Sequence, residues 1–178
     1  MEMEQWRTIQ LSKEQTKVIS NQLNHNSEML VFGMGNDTPL WISKCKNTIF
    51  LEDNVDWFYR FDGMKKYLVK YDTDITDWKG LLNERKKLHL KLPDEIAGMK
   101  FDVILVDGPA GYNDDCPGRM KSIYMASRMV KKKGHIFVHD CDREVEEAYC
   151  DKYLGDVYKI VDTDMRWYNG DKNGIKED

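Results

Sequence analysis

The sequence predicts an α/β fold, a single doubly wound Rossmann-like sheet, mostly parallel with an antiparallel C-terminal strand, and three observations lead there. Short apolar runs alternate with stretches of helical spacing along most of the chain, the pattern of strands joined by crossover helices. The run Phe101 to Val106 (FDVILV) is continuously apolar, as expected for a strand covered on both faces of a parallel sheet. Several of the runs end on glycines or acids, the residues that shape the ligand-binding edge of such a sheet.

In chain order, Ser12 with Gln15 three residues on forms a capping-box pattern, and Val18, Ile19 and Leu23 continue at helical spacing, so residues 12–27 are expected to be an amphipathic helix. Met29 to Phe32 is a first strand, Gly33 and Gly35 punctuate it, and Thr38–Pro39 opens a helix through Trp41 and Ile42. Thr48 to Leu51 is a second strand ending on Glu52 and Asp53, residues 55–64 read as helix, and residues 66–71 alternate as a third strand. A polar region with helical pieces leads to Pro93 and then to the strand Phe101 to Val106. Arg119 to Val130 is a helix with Ile123, Ala126, Met129 and Val130 inward, and Gly134 to Val138 is a strand ending on His139–Asp140. Arg143 to Leu154 is helical, with Asp142 in an N-cap position, and residues 156–161 and 165–168 are two terminal strands.

At 178 residues and 41% hydrophobic, the chain is long enough for one good core and is expected to be one domain, residues 1–178. Its 27 basic and 31 acidic residues, net −4, give no general attraction to nucleic acid. Lys131–Lys132–Lys133 reads as the solvated end of a helix, where cations are favourable. Cys45, Cys116, Cys141 and Cys150 have neither the spacing of a zinc site nor that of a disulfide framework, which predicts reduced thiols in an intracellular protein. No run approaches the length of a membrane span, and residues 1–15 lack the apolar core of a signal peptide. The expectation is a soluble, cytoplasmic chain.

The chemistry should lie where Gly33–Asp37, Glu52–Asp53, Asp107–Gly108–Pro109 and His139–Asp140 follow successive strands, all on one edge of the sheet. FGMGND is a GxG turn without the third glycine of a dinucleotide fingerprint, and Glu52 follows it by about twenty residues, the spacing of an acid that binds a ribose diol. A nicotinamide dinucleotide and S-adenosylmethionine both fit that much. Asp37 would repel a pyrophosphate but tolerates a cationic sulfonium, which favours the methyl donor. Asp107 and Asp140, ending adjacent strands, point into one crevice with His139. Such a group either binds a divalent ion, Mg or Mn, through hard oxygens or takes a proton from an attacking hydroxyl.

The strings LVFGMGNDTPLW, TIFLEDN, FDVILVDGPAGYNDDCPGRM and HIFVHDCDREVEEAY resemble, in the same order, those of the plant polysaccharide-biosynthesis family of glucuronoxylan 4-O-methyltransferases and irregular-xylem proteins. The likeness covers residues 29–168 and is most specific in Asp107–Met120 and Val138–Glu146. It implies a class I S-adenosylmethionine-dependent O-methyltransferase acting on a hydroxyl of a sugar or polysaccharide, typically on a uronic acid. By position it implies that Phe32, Gly33, Gly35 and Asp37 line the methionine part of the donor and that Glu52 and Asp53 hold the ribose. It places Asp107, His139 and Asp140 at the chemistry, with Asp107 or His139 as the base, Tyr112, Arg119 and His139 against the acceptor, and, by analogy with catechol-type enzymes, Asp107 and Asp140 on a metal. Two rival readings stand beside it: a nicotinamide-dependent oxidoreductase, and a glycan-binding relative without turnover.

Overall fold

The structure, a computed structural model, describes residues 9–170. Seven strands form one sheet in the order β3-β2-β1-β4-β5-β7-β6: β1 (Glu28–Phe32), β2 (Asn47–Glu52), β3 (Lys65–Leu68), β4 (Phe101–Val106), β5 (Val130–Val138), β6 (Lys159–Val161) and β7 (Met165–Asn169). The first five pair in parallel, and β7 runs antiparallel to both β5 and β6. This is the predicted architecture.

Period-two alternation explains why the central strands read as unbroken apolar runs. Leu30, Phe32, Ile49, Leu51, Ile104, Val106, Ile136 and Val138 pack on one face against helices α7 (Met120–Met129) and α8 (Glu144–Tyr153). Met29, Val31, Phe50, Val103, Leu105 and Phe137 pack on the other face with Ile19 of α1 (Lys13–Ser20) and Trp41 of α2 (Thr38–Lys44). Both faces are covered, so no polar residue is needed in either register.

Helix α1 starts where the capping box places it, with both reciprocal bonds made, and it ends at Asn21, well short of residue 27. Helix α3 (Val55–Arg60) is likewise shorter than expected and buries none of its residues. The polar stretch before β4 forms a 3₁₀ turn (Ile75–Asp77) and three one-turn helices, α4 (Trp78–Leu81), α5 (Arg85–Leu88) and α6 (Asp94–Ala97).

Two expectations fail near residues 130 and 142. Val130 begins β5 instead of ending α7, so Lys131–Lys133 lie on a strand, not at a helix end. Val130 pairs with Phe101, the register then shifts to Val103–His135, and Lys131 reaches Glu28 and Asp102; these contacts hold Val130 and Lys131 where helix propensity would have continued α7. The N-cap of α8 is Arg143, without a side-chain capping bond, so Asp142 does not cap it.

The parallel register brings the strand ends level. Phe32 pairs with Leu51 and Val106, and Val106 with Val138. The ladder continues one step further through Gly33 N–H to Leu51 O (2.8 Å), Asp107 N–H to Phe32 O (3.0 Å) and His139 N–H to Val106 O (3.0 Å). Gly33, Glu52, Asp107 and His139 therefore open one row, and the strand order reverses between β1 and β4, where an α/β sheet has its ligand crevice.

Candidate active site

A pocket of about 420 Å³ opens over this row, within the ~300–1,000 Å³ usual for small-molecule sites. Its lining includes Gly33, Gly35, Asp37, Glu52, Asp53, Asp107, Tyr112, Arg119, His139 and Asp140, so it joins every expected site residue except Phe32. The Phe32 ring is fully buried in the α7-facing core, and only its carbonyl serves the site, by accepting from Asp107 N–H.

On the β1–β2 side the glycine turn is held by backbone geometry. Gly33 sits at φ +102, and a Cβ on it would stand 3.1 Å from Gly108 N; a Cβ on Gly108 would stand 2.8 Å from Gly33 Cα. The two loops thus cross backbone to backbone, which is why both positions need glycine. The buried Asp37 accepts from Trp41 Nε1 at 2.6 Å. Burial first, then the charge of Asp107, push its pKa up to about 6. Glu52 Oε2 accepts from Met34 N–H at 2.5 Å, and Oε1 from the N–H groups of Asp53 and Asn54 at 2.9 and 2.6 Å. Burial nevertheless raises its pKa to about 7, against those backbone bonds. Burial also raises Asp53. Trp57 of α3 completes this wall, with the Arg60 guanidinium 4.7 Å from its ring centre.

On the β4–β5 side, Arg119 is 5% exposed and fully engaged. Nε donates to Pro109 O (3.2 Å) and Nη1 to His139 O (2.8 Å), while Nη2 lies 2.7 Å from Asp140 Oδ2 and 3.4 Å from Asp107 Oδ1. Arg143 Nη1 adds a second cation 3.1 Å from Asp140 Oδ2. His139 Nδ1 is 2.9 Å from Asp107 Oδ1. Burial would lower the imidazole pKa, but the bond to Asp107 and the charges of Asp107 and Asp140 outweigh it, so His139 stands above its ordinary value. Asp140 has φ 59, a left-handed conformation rare for residues other than glycine. Such strain collects at functional sites. Tyr112, 73% exposed, stands at the mouth.

Three further residues enter the site, Arg143 and Glu146 legible only as part of the Val138–Glu146 string and Asp164 without any sequence signal. Asp164, in the turn between β6 and β7, lies 3.4 Å from His139 Nε2. Arg143 lines the pocket. Glu146 is fully buried under Gly111, and neither of its carboxyl oxygens has a hydrogen-bond partner; burial raises its pKa against the charges of Arg119 and Arg143.

Asp107, His139 and Asp140 offer ligand atoms within 4.8 Å of one another. The ion-pair contacts of the two acids described above fall on Oδ1 of Asp107 and Oδ2 of Asp140. Hard carboxylate oxygens suit a divalent ion such as magnesium, which often takes only one or two carboxylates. His139 does not suit it, because Nδ1 is committed to Asp107. All four cysteines are free and buried, and among the described residues no helix is long and apolar enough to cross a membrane.

A model of the IRX15/IRX15L/GXM family matches residues 13–91 and 86–168. Arabinogalactan O-methyltransferase 1 of Arabidopsis thaliana is 32% identical over 172 residues, 80% of this chain and 60% of its own length. Glucuronoxylan 4-O-methyltransferase 1 of the same plant is 32% identical over 180 residues, 85% of this chain and 64% of its own. The chain thus spans somewhat less than two thirds of the length of these two relatives. Among solved structures, human Methyltransferase-like protein 13 in complex with SAH superposes with TM-score 0.53 over 91% of this chain and 85% of its own, at 13% identity, a likeness of fold alone. The matches run through both walls of the crevice, from the glycine turn to the strings around Asp107 and His139, and the chain belongs to the IRX15/IRX15L/GXM family.

Proposed function

We propose that this chain is an O-methyltransferase that moves the methyl group of S-adenosylmethionine to a hydroxyl of a polysaccharide, within one domain. The observation that carries this is the shared pocket: a glycine turn followed by buried acids on one wall, and Asp107 paired with His139 on the other, joined at the point where the strand order reverses. Five acids and two arginines line it, a balance that suits a sulfonium and repels a pyrophosphate. When bound, the donor supplies an electrophilic methyl carbon.

The chain's own residues then divide the work. Glu52, held by three backbone amides, keeps lone pairs for the ribose hydroxyls. Asp37 places a carboxyl near the positive end of the donor. The acceptor oxygen attacks the methyl carbon as the carbon–sulfur bond breaks, its electrons stay on sulfur, and the hydroxyl proton passes to Asp107 Oδ2. His139 Nδ1 and Arg119 hold Asp107 Oδ1 and so aim Oδ2. A divalent ion, where one takes part, would sit on Asp107 and Asp140 and lower the pKa of the hydroxyl. Tyr112 offers its exposed ring and hydroxyl to the sugar; the buried Arg119 shapes the wall without facing the acceptor.

Calorimetry separates this reading from a dinucleotide enzyme: S-adenosylhomocysteine is expected to bind and NAD is not. Labelled S-adenosylmethionine with a panel of uronic-acid-containing and neutral polysaccharides then tests turnover, and a binder without transfer to any of them is the non-catalytic relative. Loss of activity on chelation, restored by magnesium or manganese, is the result expected of an ion on Asp107 and Asp140.

A further inference from the structure

The Ser12–Gln15 box does more than start a helix. Gln15 is 2% exposed and its amide is used at both ends. Oε1 accepts from Ser12 N–H at 2.9 Å, and Nε2 donates to Asp164 Oδ1 at 2.6 Å. The first bond fixes which end of the amide faces Asp164. Asp164 is pinned a second time, because its backbone carbonyl accepts from Cys141 N–H at 2.7 Å. Its remaining oxygen, Oδ2, lies 3.4 Å from His139 Nε2, while Nδ1 of the same ring meets Asp107 Oδ1 at 2.9 Å. Nε2 is therefore turned toward Asp164, and a line of contacts runs from the first turn of α1 to Asp107.

We propose that Gln15 and Asp164 are positioning residues for methyl transfer: they fix the ring of His139 through Nε2, and His139 thereby fixes the rotamer of Asp107. This rests on the function proposed above. Carboxylates only accept, so the ring donates to both acids and Asp107 is left as the group that takes the hydroxyl proton.

The polarity of the Gln15–Asp164 contact gives a test. Asp164→Asn sets an amide donor against the Gln15 amide donor, or else turns that donor toward His139. Gln15→Glu sets two carboxylates together. The double exchange restores one donor facing one acceptor, with the new carboxylate at position 15 still able to accept from Ser12 N–H. In the full chain, Asp164→Asn is expected to lower kcat about tenfold or more, as a small displacement of a reacting group does, with the KM for the donor within about twofold of wild type. The double variant is expected to recover kcat to within about threefold of wild type, as coupled neighbours do in a double-mutant cycle. Wild-type kcat in Asp164→Asn overturns the proposal, and so does a double variant as slow as the product of the single losses. Where Asp164→Asn does not fold, Gln15→Ala, which costs only a cap contact and the amide donor, is expected to show the same fall in kcat at unchanged donor KM; unchanged kcat there overturns the proposal. Long-range ¹H–¹⁵N spectra of the His139 ring read the same contact without turnover: Nε2 is expected to shift in Asp164→Asn and to return in the double variant, and a resonance that ignores both exchanges overturns the proposal. A wild-type chain inactive on every polysaccharide overturns the functional reading and this one with it, whereas an active wild type with an indifferent Asp164→Asn overturns this one alone.

Discussion

On the β1–β2 wall of the crevice, Asp37 and Glu52 are buried against an indole N–H and backbone amides, and burial lifts them to about 6 and about 7. On the β4–β5 wall, Asp107 and Asp140 face Arg119, Arg143 and the His139 ring at 2.7 to 3.4 Å. All four are acids, but among the described residues only the second pair has arginine partners within ion-pair distance. An arriving positive charge therefore gains most on the first wall, while the acids of the second wall already have their cations. On the proposed function, the sulfonium belongs on the first side and the hydroxyl on the second.

The strongest way to break this comparison is at Asp107. Asp107→Ala is expected to lower kcat by about a thousandfold, in the range for loss of a general base, with S-adenosylhomocysteine affinity nearly unchanged by calorimetry. Near-normal turnover would mean that the proton leaves by another route. Next comes Arg119→Met, which keeps the bulk but removes the buried guanidinium from two carboxylates and two carbonyls. Breaking such a buried pair costs about 3 kcal/mol or more, which a thermal melt would show as a fall in Tm of about 10 °C for a chain of this size. An unchanged melt would show that the second wall does not depend on its cation.

Gly33→Ala sharpens the comparison at the seam between the walls. The added methyl meets the Gly108 backbone at 3.1 to 3.2 Å from a φ of +102, a strain of about 2 kcal/mol, and donor affinity should fall with stability in the same variant. The smallest effect is that of pH on donor binding. Asp37 and Glu52 carry raised pKa values, so below about 6 to 7 they are largely protonated. A bound cation favours their ionised forms, so binding releases protons at low pH and affinity rises as pH climbs through that window, then levels off. S-adenosylmethionine should bind about tenfold tighter at pH 7.5 than at pH 5.5, one pKa unit of coupling. The neutral sulfide of S-adenosylhomocysteine should gain less, and equal gains would place the sulfonium away from Asp37.

What the sequence makes legible follows from what is local. The sheet, its strand ends and the GxG-to-Glu52 spacing depend on periodicity and on neighbours along the chain, and those elements stand where they were expected. Lys131–Lys133 went to a strand because the decisive partners, Phe101 and Asp102, are distant in sequence. The family resemblance sets Arg119 against the acceptor; the fold shows its donors directed at Pro109, His139 and two acids. Asp164 was invisible in the sequence. An acid in a three-residue turn has no pattern, and its partner Gln15 is 149 positions away. Glu146 stood out only as part of a string, and its burial without a hydrogen-bond partner is a tertiary fact.

The crossing of Gly33 and Gly108 involves no side chain on either strand. It is a hinge pin that amino-acid exchange cannot tune, because any Cβ there collides with main chain. On the proposed function, a change in acceptor preference would fall to the exposed residues beyond the crossing, such as Tyr112 and its neighbours Asn113 to Asp115. Such exchanges would revise the sugar accepted while the donor half stays the same, provided the two glycine positions are left alone.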